Sequence, residues 1–342
     1  MSDTLMSLIE GGLAAVSEAD LEGARAALAK AQGEAGAAHP RVTHLQGLVA
    51  WLDGDLESAA GHLLAAVDAA PSDPIVQLDA AEFMFVEGEL QEAESILRDF
   101  LESDGADEGL DDARMLLAQV RLEDDDPEEA LEILDAVEAG HDRVEYLASR
   151  GGVLLALGQR EAAVEAMRAA VAVEPDDADL LYQLGVVLHA AERFDDAQST
   201  MVKVLEMDAA RRASEGEDAL DSAQERDLKD RFDAMLEEIP EPILKRIAEV
   251  PVKVQRAPQV SDVESGLDPR NAVAFVGTPL GPGGDAALEG IVLMRDLLID
   301  GLDEFDGLSE EEQIHELLLE HTLVELRRFF GLEELVVAGV GG

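Results

Sequence analysis

A recurring interval of 34 residues constrains this chain more than any other feature. Gly151 and Gly185 lie 34 apart inside helical patterns, and Gly47 occupies the same kind of place earlier. Gly54 and Gly88, each at a turn between two amphipathic stretches, repeat the interval, as do Ala59 with Ala93 and Ala163 with Ala197. Pro71 and Pro175 close two of the units, and Gly105 falls 34 after Pro71. A period of this length marks a repeat architecture, in which each unit buries its apolar face only against its neighbours. Gly47, Ala59 and Ala66 would let two antiparallel helices approach closely, where bulkier side chains would hold the backbones apart. Proline lacks an N–H and restricts the residue before it, so Pro71 and Pro175 end helices.

The clearest units read HLQGLVAWLDGDLESAAGHLLAAVDAAPSDP and YLASRGGVLLALGQREAAVEAMRAAVAVEPDD. They resemble tetratricopeptide (TPR) repeats: the small residue in the first helix, the turn glycine, the alanines of the second helix and the closing proline come in TPR order. About six units fit between residues 4 and 208; the first is irregular, and the fourth, ARMLLAQVRLEDDDPEEALEILDAV, follows an insertion around SDGADEGLDD. The resemblance implies an all-α TPR superhelix over residues 1–208 and a groove that binds a protein or peptide partner. Some TPR domains hold a partner's terminal carboxylate with lysine and arginine. Lys30 and Lys203 are the only lysines of the repeats, which leaves Arg114, Arg121, Arg150 and Arg193 as candidates for that role. Pairing with nearby acids is the competing assignment for these arginines.

Charge narrows the choice of partner. The chain has 76 acidic and 25 basic residues, a net charge of −51. Nucleic acid and anionic lipid carry the same sign and are repelled, so a basic or apolar segment is the expected ligand. There is no cysteine, which excludes disulfides, thiol nucleophiles and thiolate metal sites. The start, MSDTLMSLIEGGLAAV, has no basic segment followed by a long apolar one, and runs such as VLLAL are far too short to span a bilayer. A cytoplasmic protein is expected. His39, His44, His62, His141 and His189 are scattered through the repeats without ligand spacing.

Beyond residue 208 the interval disappears. RRASEGEDALDSAQERDLKDR, within residues 209–231, reads as a charged linker or a solvated helix. Residues 232–342 read as a small α+β domain: a helix interrupted at Pro240 and Pro242, strands in VPVKVQRAP, DPRNAVAFVGTPL and GIVLMRDLL, then one long helix. That helix begins at Ser309 with Glu312 three residues later, a capping box, and stops at Gly331. Leu317, Leu318, Val324, Leu326, Phe329 and Phe330 are expected to form its core stripe.

The stretches FDAMLEEIPEPILKRIAEVPVKVQ, LDPRNAVAFVGTPL, GIVLMRDLL and HTLVELRRFFGLEEL, in that order, resemble the minimal zincin-like metallopeptidases of bacteria. That family carries H-E-x-x-H followed by x-x-G-x-x-[DE] on its last helix. The resemblance implies that Glu325 stands where the general base would be, Gly331 at the glycine and Glu334 at the late acidic ligand. Val324 and Arg328 stand at the two histidine positions. Valine has no lone pair, and arginine offers only N–H donors and a fixed charge, so neither ligates zinc. No metal or other cofactor is therefore expected, and the site reads as that of an inactive enzyme. Arg328 lies three residues after Glu325, a spacing that permits an ion pair in which the guanidinium replaces the cation and neutralises Glu325 and Glu334. The alternative is an active zinc peptidase with a shifted metal site at His321, Glu325 and Glu334, fed by the repeats.

Overall fold

The computed structural model describes residues 3–103, 108–138, 143–215, 222–247, 250–280, 286–302 and 309–331. Gly105 and Glu334 fall outside them. The chain divides into two compact units, Met1–Arg193 and Phe194–Gly342.

The first unit contains the helices α1 (Asp3–Ser17), α2 (Leu21–Ala35), α3 (Pro40–Leu52), α4 (Leu56–Ala69), α5 (Pro74–Val86), α6 (Leu90–Glu102), α7 (Leu110–Glu123), α8 (Pro127–Asp135), α9 (Val144–Ala156), α10 (Arg160–Val173) and α11 (Ala178–Ala190). They form a chain of helical hairpins in which consecutive helices pack on each other, from α1 with α2 through α10 with α11. Small residues set the approach within each hairpin. A Cβ placed on Gly47 would stand 2.6 Å from Leu63 Cγ and 3.1 Å from the Leu63 backbone nitrogen, so the glycine admits α4 against α3. Gly151 does the same for Met167 on α10, whose Sδ would lie 2.7 Å from an added Cβ.

Side by side, the hairpins show a longer register than the intervals of 34 alone. Gly12, Gly47, Ala81, Ala118 and Gly151 hold one position of the first helices; Ala24, Ala59, Ala93, Ala130 and Ala163 hold one position of the second, and all five alanines are fully buried. Successive members are 35, 34, 37 and 33 residues apart, and the long step spans the connection before α7, where the sequence carries its insertion. Each hairpin turn also holds one residue in the left-handed region: Ala19, Gly54, Gly88, Asp125 and Gly158, with φ between 54° and 77°. Two of the five are not glycine, so the hydrogen-bonded turn imposes this backbone even on side chains that resist it. Asp20, Asp55 and Asp126 follow the turn directly, and each accepts a backbone N–H of the next helix.

The second unit begins with α12 (Phe194–Glu215), followed by α13 (Ser222–Met235), a short 3₁₀ turn, α14 (Glu241–Ile247), β1 (Val252–Gln255), α15 (Val260–Glu264), β2 (Val273–Thr278), β3 (Ala287–Met294), α16 (Arg295–Asp300) and α17 (Glu310–Phe330). The three strands form one sheet in the order β1-β3-β2, with β1 parallel and β2 antiparallel to β3. Ile291, Leu293, Phe275 and Val273 of the sheet pack with Phe232 and Met235 of α13 and with Leu318, Leu326 and Phe329 of α17.

Two sequence expectations are resolved here. The stretch expected as a charged linker or a solvated helix is helical over residues 209–215 and 222–231, and α12 is held to the rest of its unit by ion pairs. Buried Asp208 accepts Arg270 Nε at 3.0 Å and Nη2 at 3.2 Å, and buried Arg212 reaches Asp300 at 3.0 Å. Most described side chains of the stretch are exposed, as in a solvated helix, while Arg211 and Arg212 find a partner far along the chain in Asp300. The strand expected in GIVLMRDLL ends at Met294, and its last part is α16. There Arg295 and Asp296 are both buried, and Asp296 accepts Arg256 at 2.9 Å and Arg295 at 2.8 Å. The capping box at Ser309 and Glu312 is present, and Gly331 closes α17 in the left-handed region at φ 65°.

Replacing Gly47 with valine should destabilise the repeat unit by about 1–3 kcal/mol, the usual cost of overpacking. Urea denaturation followed by circular dichroism measures it.

Candidate functional site

Helix α17 sets the geometry of the C-terminal site. Its buried residues run from Ile314 to Phe330 along one side, and at 3.6 residues per turn Val324 falls on the opposite side. Val324 is 44 % exposed, so it does not belong to the core stripe expected for it; the other five members are buried. Glu325, one position on, turns inward and is 1 % exposed.

A buried carboxylate must have partners, and both oxygens of Glu325 are engaged. Arg328 donates Nε to Oε1 and Nη2 to Oε2, each at 2.7 Å, a bidentate pair within one helix. The backbone N–H of Phe275 in β2 donates to Oε2 at 2.9 Å, and Asn271 Nδ2 to Oε1 at 3.3 Å. Glu325 thus fastens α17 to the start of β2, beside the rings of Phe275, Phe329 and Phe330, whose centroids lie 5.1–6.2 Å apart. The hydrogen bonds to Glu325 raise the pKa of Arg328 further, against the opposing effect of burial.

Arg328 and Phe329 border a cleft of about 460 Å³ with Gln255, Asp262, Val276 and Met294. His321 is four residues before Glu325 and half-buried. Burial lowers its pKa, while the charges of Glu320, Asp268 and Glu325 oppose the shift. Among the described residues, no three His, Cys, Asp or Glu side chains are grouped to hold a metal ion. With the Glu325 oxygens already bound to Arg328, Asn271 and Phe275, Glu325 does not fit a zinc ligand alongside His321; Glu334, the third residue of that set, is outside the described residues.

The four arginines singled out in the repeats are all engaged with carboxylates. Arg114 bonds Asp111 at 2.7 Å, Arg150 bonds Asp135 at 2.6 Å and Tyr146 Oη at 3.3 Å, and Arg193 lies 3.8 Å from Glu161. Arg121 is the centre of a network. It reaches Glu94 at 3.1 Å, Asp124 at 2.8 Å, Asp126 at 2.9 Å and Glu129 at 2.8 Å, while Arg98 bridges Glu94 and Glu129 at 2.7 Å each. These contacts cross-link α6, α7 and α8. These ion pairs are the competing assignment for the arginines, pairing with nearby acids.

Comparison with known proteins addresses the first unit. A family profile described as a tetratricopeptide repeat-like domain matches residues 44–186, and a second, described as a tetratricopeptide repeat, matches residues 9–74. The first unit is a tetratricopeptide-repeat array. No curated protein sequence matches the chain. Among solved structures, PilW, titled a widely conserved type IV pilus biogenesis factor, aligns with a TM-score of 0.53 at 11 % identity, over 60 % of this chain and 94 % of that one. PilF of Pseudomonas aeruginosa aligns with a TM-score of 0.51 at 16 % identity, over 59 % of this chain and 91 % of that one. MamA from Desulfovibrio magneticus RS-1 gives 0.43 at 20 % identity, over 50 % and 96 %. At these identities the likeness is one of fold.

In the TPR array, sequence reading located the small-residue positions and named pairing with nearby acids for the arginines, but not which acids they meet across the repeats. In the second unit it placed Glu325 and Arg328 but missed Asn271 and the Phe275 N–H. A polar residue two positions before a strand was the available signal for Asn271; a backbone donor leaves none.

Two outcomes test this geometry. Arg328→Met should cost about 1–3 kcal/mol, less than a fully buried pair because Arg328 is 39 % exposed, and Glu325→Gln should recover part of that loss in the double variant. Chemical denaturation of the three variants measures the coupling. For His321, the lowered pKa means the unfolded chain takes up its proton first as pH falls below the ordinary value of 6.5. Stability should therefore decline from about pH 6.5 downward, and the His321→Gln variant should show a shallower decline in denaturation curves between pH 5 and 7.

Proposed function

We propose that this protein is an interaction scaffold: the TPR array binds a protein or peptide partner, and the second unit is a non-catalytic relative of the minimal zincin-like peptidases. The bidentate pair of Arg328 with Glu325 is the observation that carries this reading. At the position of the second histidine stands a cation that is part of the chain, and it binds the carboxylate that would serve as general base. A carboxylate so engaged, with Phe275 N–H and Asn271 on its remaining lone pairs, is not disposed to take a proton from water. Val324, at the position of the first histidine, lies on the solvent side of α17 and offers no donor. The residues present do not fit zinc. What the second unit retains is a folded α+β body with a cleft beside Arg328, suited to binding rather than hydrolysis.

Acidic repeats support a basic or apolar segment as the partner and disfavour nucleic acid and anionic membranes. No helix among the described residues is long and apolar enough to cross a membrane.

Elemental analysis of protein purified without chelator or nickel resin tests the reading. Well under a tenth of a metal ion per chain is expected, and the Arg328→His variant alone should remain metal-free. Near-stoichiometric zinc, lost on His321→Ala, would instead establish the shifted peptidase site at His321, Glu325 and Glu334.

A further inference from the structure

We infer that the joint between hairpins α5–α6 and α7–α8 is an ionic-strength switch, closed in concentrated salt and opening locally in dilute salt ahead of the rest of the array. Such a switch acts on the fold of the array itself, and so stands apart from the scaffold reading above.

Charge is spread unevenly along the repeats. Counting lysine and arginine against aspartate and glutamate, hairpin α1–α2 holds two basic and six acidic residues, and α3–α4 one and four. Hairpin α5–α6 holds one and eight, α7–α8 two and ten, and α9–α10 three and three. Net charges of −7 and −8 thus meet where α6 packs on α7, and the hairpin that follows is neutral. Self-repulsion of this kind destabilises a compact state, and here it is concentrated on one joint.

The densest stretch is EDDDPEEALEILD, residues 123–135, with eight acids and no basic residue. It forms the turn and α8, which has nine residues where α2, α4, α6 and α10 have 13 to 15. Ala130 and Leu134 are the buried residues of α8, against three in α4 and four each in α6 and α10. Asp125 holds the turn in the left-handed region at φ 60°, a conformation that side chains resist. The helix dipole favours Glu128 and Glu129 in the first turn of α8 but opposes Glu132 and Asp135 in the last. Glu128 and Glu132, four apart, also repel each other on one face of the helix. Little apolar burial is left to offset these effects.

Attraction and repulsion in this joint respond differently to salt. Arg121 holds Glu94, Asp124, Asp126 and Glu129 at 2.8–3.1 Å, and Arg98 holds Glu94 and Glu129 at 2.7 Å. The Arg121 side chain is 13 % exposed, so its pairs are poorly screened. Glu123, Asp125, Glu128 and Glu132 are exposed, and among the described residues none of the four has an ion pair. Their mutual repulsion acts through water, over a screening length of roughly 10 Å at 0.1 M salt and roughly 3 Å at 1 M. Added salt therefore removes the repulsion and leaves most of the attraction, so the joint closes as ionic strength rises.

Hydrogen exchange of the full chain, read by mass spectrometry on peptides from α8 and α10, tests the switch. Between 0.05 and 1 M KCl, exchange in α8 should slow at least tenfold, and in α10 of the neutral hairpin less than threefold. In the Glu123→Gln/Glu128→Gln/Glu132→Gln variant, whose substituted side chains are all exposed, the response of α8 should fall below threefold. Circular dichroism at 1 M KCl verifies that this variant is folded. Equal responses of α8 and α10, no response in either, or a tenfold response retained in the triple variant overturns the inference. Tetramethylammonium chloride at the same ionic strength should act as KCl does. Protection by potassium or magnesium but not by tetramethylammonium would mean a bound cation, and would overturn screening as the cause.

Discussion

The close approach of two helices within each hairpin is the constraint from which the rest of the first unit follows. Gly47 against Leu63 and Gly151 against Met167 fix the spacing between backbones. With that spacing fixed, the buried alanines from Ala24 to Ala163 have room for a methyl group and no more. The turn must then reverse the chain in a few residues, which places one residue of each turn in the left-handed region. The connection before α7 can lengthen without disturbing this because it lies outside the hairpin contact. An array of this kind is a sum of local contacts between neighbours, with no single centre.

A different logic holds the second unit together. Its hydrophobic core joins α13, the three strands and α17, but charges determine where several elements lie. Asp208 with Arg270, Arg212 with Asp300, and Arg256 and Arg295 with Asp296 each include a buried member. Removing one partner of such a pair costs more than the pair contributes, since the remaining charge is stranded. The same accounting governs Glu325, which is buried among phenylalanines and is tolerated there because four donors converge on its two oxygens.

Much of this architecture is legible in the sequence because it is periodic. The interval of 34 residues, the alanines and the turn glycines announce helical hairpins, and Ser309, Glu312 and Gly331 mark both ends of α17. The spacing of Glu325 and Arg328 indicates their ion pair for the same reason: both residues share a helix, and helical geometry is known in advance. Contacts between elements are less legible. Nothing in RRASEGEDALDSAQERDLKDR states that a neighbouring aspartate will meet Arg270, 62 residues away. Val324 looked like core because its neighbours are, whereas only the direction in which the helix meets the sheet decides which arc is buried. The acceptor role of Glu325 toward Phe275 is invisible for a further reason, as the donor is a backbone group common to every residue but proline.

The pairing of Glu325 with a residue on its own helix has an evolutionary side. Had the counter-charge come from another element, either residue could drift once the fold found some different cation. Here the two positions form one local unit, and the order in which they change matters. Loss of Arg328 first leaves a buried anion, whereas loss of Glu325 first leaves only a half-exposed arginine that can turn to water. Neutral substitution thus has one open direction, through position 325. A lineage that acquired this pair would find replacement of Arg328 barred by its own stability for as long as Glu325 remains, as a ratchet bars reversal.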